Sequence, residues 1–449
     1  MINQIKASRG HAMASPPPEI PKSVTTGWIN LVGLASATAA FFVVAQAPTT
    51  PVIWVAFALM CAYAVPIAVL ELALKRVHRN ASSGITPSAP RYDILRSITK
   101  FIGLITMLGA VIGFHALFRV YPTQDLMPAV GLLIHLAPVL LVISFLYIFW
   151  VDARMTQPHD GYWQIGAWLT RQLCQVEYAG LRHFLLGWVI KGFFLPIMFS
   201  YLVNTIAGSA PISTWATQDL VTLTRHLMML ALLLELIVVC VGYTLTLRLF
   251  DAHIRTTNPA LWGWVVTLVC YPPFNAVITG QIFSRDTGVP WHETIQAYPL
   301  LAGPWLALLL LSFGIWVWAT ASFGLRWSNL TNRGVVTCGP YRWMKHPDYM
   351  SKVVFFWLTS APFLAAVPIQ TKIAATAGMI VVTMIYFGRA KAEELHMYED
   401  PDYVRYATAL NTRGLCAPLY RVFPALAYSA PNHALQAVSQ PNVRPVPAE

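Results

Sequence analysis

Apolar runs of about 20 residues, separated by short polar stretches, recur from residue 26 to residue 389. Each is long enough for an α-helix, rising 1.5 Å per residue, to cross the ~30 Å hydrocarbon core of a bilayer. The pattern predicts ten spanning helices, over residues 26–46, 51–72, 98–119, 128–150, 182–206, 225–249, 259–281, 299–321, 352–368 and 373–389. A transmembrane β-barrel would show ~10-residue alternating segments instead. The chain therefore reads as an all-α, polytopic integral membrane protein. Its last two runs are short and joined by little more than Gln370-Thr371-Lys372, which predicts a tight helical hairpin.

Three stretches break this rhythm. Residues 151–181 mix aromatic and charged side chains, as an interfacial helix would. Residues 322–351 and 390–425 are dense in Tyr, Arg, Lys and Glu. The organisation expected is a polar tail over 1–25, an amino-terminal bundle of about seven spans over 26–298, a second membrane unit over 299–425 and a disordered, Pro- and Ala-rich tail over 426–449. The first apolar run starts behind a polar, Pro-containing tail, so no cleavable signal peptide is expected. No internal repeat emerges, which gives little support to an inverted-repeat transporter.

Composition agrees with the pattern. Only 11% of the 449 residues are charged, against about 25% in soluble proteins, and the mean hydropathy is +0.56. With the amino terminus inside, the ten-span layout puts 25 of the 30 Lys and Arg side chains inside and 4 outside, with Lys191 within a span. That asymmetry predicts cytoplasmic termini, in a multi-pass protein of a bacterial inner membrane. The net charge of +11 then belongs to cytoplasmic loops, and no nucleic-acid partner is expected. The six cysteines lack CxxC or CxxH spacing, so neither a disulfide framework nor a metal site is expected.

The candidate chemistry lies in two polar blocks that bracket the last hairpin. The first runs from Trp327 to Lys352 and contains "GPYRWMKHPDYMSK"; the second runs from Arg389 to Pro424 and opens "RAKAEEL". A hairpin between them returns both blocks to one face, where they can close over one pocket. Gly339-Pro340 reads as a turn. Pro347 pushes His346 out of helical geometry and suits the first turn of a helix beginning there. A helix amino terminus with His346 and Tyr349 beside it favours an anion. Arg389 and Glu393 share a helix face, with Glu394 one step round. Carboxylates so close to a span should face protein, water or a cationic ligand. The plain alternative for the first block is a basic cytoplasmic loop with an aromatic belt; for the glutamates it is a solvated helix end.

Together these blocks resemble the isoprenylcysteine carboxyl methyltransferase and phospholipid methyltransferase superfamily, over about residues 300–425. The pattern there is roughly GPYRxxRHPxYxG, a hairpin, R-x-x-x-E-E and a trailing Tyr-rich segment. Lys345 stands where Arg is usual, and Ser351-Lys352 replaces the common Gly. The resemblance implies an S-adenosylmethionine-dependent methyltransferase whose cofactor pocket faces the cytoplasm and whose lipophilic acceptor comes from the bilayer. It implies Tyr341, His346, Pro347 and Tyr349 as pocket residues and Glu393 and Glu394 as cofactor ligands. It implies Arg342 and Arg389 as holders of the cofactor carboxylate or of an acidic acceptor. A carboxylate acceptor needs no base; for an amine or hydroxyl acceptor, His346 or a Glu is the candidate. The alternatives are an NADPH-dependent membrane reductase of the sterol type, with a similar HPxY stretch, and a non-catalytic transporter or lipid-binding protein.

Some polar residues lie inside spans. Glu71 sits near an inner end and reads as unremarkable. Lys191 and Glu235 lie deeper: Lys191 either snorkels to the inner end or lines a pocket or substrate path, and Glu235 is its candidate partner. Pro272-Pro273 predicts a kink in the seventh span, or a cavity wall with Asn275.

Overall fold

The computed structural model describes residues 19–44, 50–86, 89–118, 123–171, 178–209 and 212–430. The tail over 1–25 is described only from Glu19 and the tail over 426–449 only to Ala430; the expected disorder of the latter lies almost wholly outside the described residues.

Apolar runs, tolerating isolated internal prolines such as Pro66, Pro138 and Pro196, give long helices. These are α1 (Gly27–Val44), α2 (Val52–Leu70), α3 (Ile94–Phe118), α4 (Thr123–Asp152), a short α5 (Gly161–Leu169), α6 (Tyr178–Ala207) and α7 (Leu220–Thr244). Then come α8 (Leu261–Leu268), α9 (Trp291–Gln296), α10 (Pro299–Ala321), α11 (Pro347–Ser360), α12 (Ile369–Met397), α13 (Pro401–Arg413) and α14 (Ala417–Val422). Among the described residues eight helices are long and apolar enough to cross a membrane: α1–α4, α6, α7, α10 and α12.

Two of the ten expected spans take another form. In the seventh, Pro272 and Pro273 have no backbone N–H to donate, and the helix is broken rather than kinked. α8 stops at Leu268, and a separate wide turn covers Ala276–Ile282. In the ninth, α11 ends at Ser360 with Ala361 left-handed, just before Pro362. The hairpin connection is therefore residues 361–368, longer than three residues. The stretch expected to form an interfacial helix supplies α5, which packs on α3. A Cβ at Gly103 or Gly166 would fall about 2 Å from a backbone oxygen of the other helix, so both glycines are required for this crossing.

α7 is apolar all round and is the central helix. It packs between α2, α6 and α10, and every residue from Leu233 to Tyr243 is buried. The loops after α2, α7 and α10 meet at one end of the bundle, held by two buried arginines. Arg326 pairs with Glu71 at 2.9 Å and donates to the carbonyls of Phe250 (2.7 Å) and Asp251 (3.2 Å). Glu71 is thus a buried counter-ion. Arg333 donates to the carbonyls of Gly242, Leu245, Ala252, Leu325 and Trp327. A two-residue antiparallel ladder, β1 (Thr256–Thr257) with β2 (Thr331–Asn332), completes the junction.

Lys191 and Glu235 do not pair. Glu235 accepts from the Trp316 indole (2.7 Å) and lies 3.7 Å from Lys352. Lys191 instead lies over the Trp188 ring, 4.0 Å from its centroid, and reaches Thr246 at 3.4 Å. α11 packs on α10 and α12, and from it Lys352 reaches Glu235 of α7.

Candidate cofactor site

The first polar block folds as its prolines dictate. Gly339, with φ +59°, opens a tight turn through Arg342. His346 has φ −131° and ψ 59°, and α11 starts at Pro347. The Tyr406 hydroxyl of α13 donates to the carbonyls of Tyr341 (2.7 Å) and Met344 (3.2 Å), which pins the turn. α12 then carries Arg389 and Glu393 to the same place.

A cavity of about 1020 Å³, its open mouth included, lies where the two blocks meet. Tyr341, His346, Tyr349, Arg389 and Glu393 all line it. Arg342, Pro347 and Glu394 do not. Arg342 sits on the exposed outer side of its turn, and Pro347 is buried in the first turn of α11. Glu394 is rotated about 100° from Glu393 along α12 and is engaged by two ammonium groups, Lys345 (2.8 Å) and Lys391 (2.8 Å), and by the ring nitrogen Nε2 of His346 (3.3 Å). It ties the two blocks together. The usual Arg at position 345 is replaced by a Lys that makes a point contact with Glu394 and lies near the faces of Tyr420 and Tyr428. Burial pulls this ammonium below its ordinary pKa, against the opposing effect of Glu394.

Arg389 is 4% exposed. One Nη donates to Asn329 Oδ1 at 3.0 Å, and Asn329 is itself held by the Tyr243 and Tyr271 hydroxyls at 3.1 Å each. Tyr349 and Tyr386 lie 4.9 and 5.3 Å from the guanidinium carbon. Among the described residues no carboxylate lies within 4 Å of Arg389, and its buried Nε has no hydrogen-bond partner. Opposite in kind is Glu393, with its side chain 40% exposed and the ring nitrogen Nδ1 of His346 3.9 Å away. Burial, reinforced by Glu393, pushes the Tyr349 phenol well above its ordinary pKa, so it remains a neutral donor.

Other lining residues carry weaker sequence signals. Asp348 stands inside the first block and pairs with Lys352 at 2.9 Å. Tyr403 and Tyr406 belong to the Tyr-rich trailing segment. Asn258 and Thr267 come from the amino-terminal bundle, brought in by the β1–β2 ladder and α8; nothing local in the sequence marks them. Arg326 and Arg333 also touch the cavity, but their donors are committed to carbonyls and Glu71.

The decisive comparison concerns the segment that builds this cavity. Residues 296–399 match the isoprenylcysteine carboxyl methyltransferase family. The match spans α10, the first block, α11 and α12, and it supports a membrane methyltransferase of the isoprenylcysteine type. It excludes the lining residues Asn258, Thr267, Tyr403 and Tyr406. No curated protein matches the chain, and no solved structure does.

Proposed function

We propose that the cavity binds S-adenosylmethionine and that the protein transfers its methyl group to a lipophilic, membrane-resident acceptor, an isoprenylcysteine-like carboxylate or a lipid head group. The observation that carries this reading is the pairing of opposite groups in one pocket of the family-matched segment. Arg389 offers a cation with an unpartnered buried N–H and no carboxylate. Glu393 offers a carboxylate with no close cation. The cofactor is zwitterionic at its amino-acid end, so its carboxylate fits Arg389 and its ammonium or ribose hydroxyls fit Glu393.

When bound, the cofactor supplies an electrophilic methyl on a sulfonium that carries its own leaving group. The residues then have to bind, orient and exclude water. Arg389 is pre-positioned by Asn329 and three tyrosine rings, so little side-chain entropy is lost when it takes a carboxylate. His346 is held at Nε2 by Glu394, which places that ring proton and leaves Nδ1 on the Glu393 side. For a carboxylate acceptor no base is required. For an amine or hydroxyl, His346 Nδ1 is the group placed to take the proton.

Binding of S-adenosylmethionine and of NADPH to purified protein, measured by calorimetry, tests the reading. The expected result is binding of the first and not the second, weakened roughly tenfold or more in Glu393→Ala and His346→Ala. Binding of NADPH with none of S-adenosylmethionine would overturn it in favour of a sterol-type reductase. Binding of neither would favour a non-catalytic membrane protein.

A further inference from the structure

A second cavity, of about 1900 Å³ with its open mouth included, lies wholly outside the family-matched segment, among α3, the carboxyl-terminal part of α4, α5, α6 and residues 244–255. We propose that it is a separate binding site for a membrane amphiphile with an anionic head group, the head held by Lys191 and Arg248.

Among the described residues that line this cavity, two of them acids, the charges do not balance. Its two acids, Asp152 and Asp160, are taken by Lys100 at 2.8 and 3.4 Å, with Arg96 also on Asp152 at 2.8 Å. Arg255 has Asp251 at 3.5 Å. Lys191 and Arg248 have no carboxylate within 4 Å among the described residues. Lys191 holds only a ring face and one hydroxyl at 3.4 Å; Arg248 holds the Ser83 carbonyl at 3.1 Å and His253 Nε2 at 3.5 Å. A cation well inside a spanning helix without a counter-ion is costly, and such residues face a cavity and mark a ligand path. Here Lys191 does line the cavity, so a ligand anion can serve as the missing partner.

The remaining wall is mixed; its apolar part is Leu104, Ile148, Phe184 and Trp188, from helices that cross the membrane, beside polar groups such as Ser144, Gln164 and Thr246. An anion recognised beside such a wall is one that carries a hydrocarbon chain. A soluble anion would leave this surface wet.

The two cavities are different sites with one partition. β1 turns alternate side chains to its two sides, as a strand must. Thr256 meets His396 of the first cavity at 3.0 Å, and Thr257 meets His183 of the second at 3.0 Å. Arg333 fills the partition with hydrogen bonds to the same 242–252 stretch. The second site is therefore not the place where an acceptor meets the cofactor, and it stands whether or not the methyltransferase reading does.

The test is thermal unfolding of the full chain in a neutral detergent, titrated with oleoyl lysophosphatidylglycerol, oleoyl lysophosphatidylcholine or inorganic phosphate. The expected result is a rise in Tm of about 3 °C or more with the anionic lipid alone. Lys191→Met is expected to require roughly tenfold more lipid for the same shift, and Lys191→Arg to behave as the parent. Lys191→Met removes an unpaired cation and keeps the side chain's bulk, so it is expected to fold. Equal shifts with both lipids, or an unchanged titration in Lys191→Met, would overturn the proposal. So would a Lys191-dependent shift with phosphate alone, because it would make the ligand a free anion.

Discussion

Arg333→Lys is expected to destabilise the protein by about 3 kcal/mol, and Arg333→Ala to prevent its accumulation in folded form. Five backbone carbonyls, three from residues 242–252 and two from residues 325–327, converge on this one guanidinium. A planar fork with five N–H donors can serve them; an ammonium has three donors in a tetrahedral arrangement and a different reach. Lysine therefore leaves at least two buried carbonyls without a partner, at roughly 1–3 kcal/mol each. Burial and the nearby Arg326 pull the guanidinium down to about 9, so it is still charged at neutral pH. The same burial acts on a lysine, whose ordinary pKa is lower, so Arg333→Lys both loses donors and holds its charge less firmly. The measurement is Tm in detergent, with a loss of roughly 5 °C or more expected. A Tm within one degree of the parent would show that these carbonyls find water instead.

Glu394→Gln is expected to cost about 3 kcal/mol and to lower methyl transfer a hundredfold or more, in contrast to its neighbour. Glu394 is 5% exposed and is the carboxylate for Lys345, whose side chain is 2% exposed. Removing one partner of a buried pair leaves the other charge uncompensated, typically at 3–5 kcal/mol. Lys391 is partly exposed and adds little. The same change frees His346 Nε2, so the ring loses its fixed orientation toward the cavity. Glu393→Gln removes a half-exposed carboxylate with no tight ion pair and should leave Tm nearly unchanged while weakening the cofactor. The double variant Glu394→Gln/Lys345→Met should regain much of the lost Tm, because neither buried charge remains. Unchanged Tm in Glu394→Gln together with weaker cofactor binding would make Glu394 a ligand and not a tie.

These two residues also mark how far the sequence reads. Apolar runs gave the class of fold and eight of the spans directly, because hydropathy over 20 residues is a local property. Prolines gave the start of α11 at Pro347 for the same reason. The convergence of the two blocks followed from the hairpin between them. What could not be read is rotational and long-range. Glu393 and Glu394 are equivalent as sequence, yet one step round α12 sends one into the cavity and the other onto Lys345. Lys191 and Glu235 share an apolar setting, and only the placement of α11 decides that Lys352 is the cation that reaches Glu235. Asn258 and Thr267 arrive through a two-residue ladder too short to leave a period-2 pattern.

The buried arginine contacts have a consequence for the order in which the chain acquires shape. Every helix that supplies acceptors to Arg326 and Arg333 from outside their own loop is translated before them. Glu71, Gly242, Leu245, Phe250, Asp251 and Ala252 have all left the ribosome by the time residue 326 is made. Residues before 296 therefore supply acceptors that the two arginines of the family-matched segment need. A chain beginning at residue 296 would carry Arg326 without its carboxylate and Arg333 with two of its five carbonyls, those of Leu325 and Trp327.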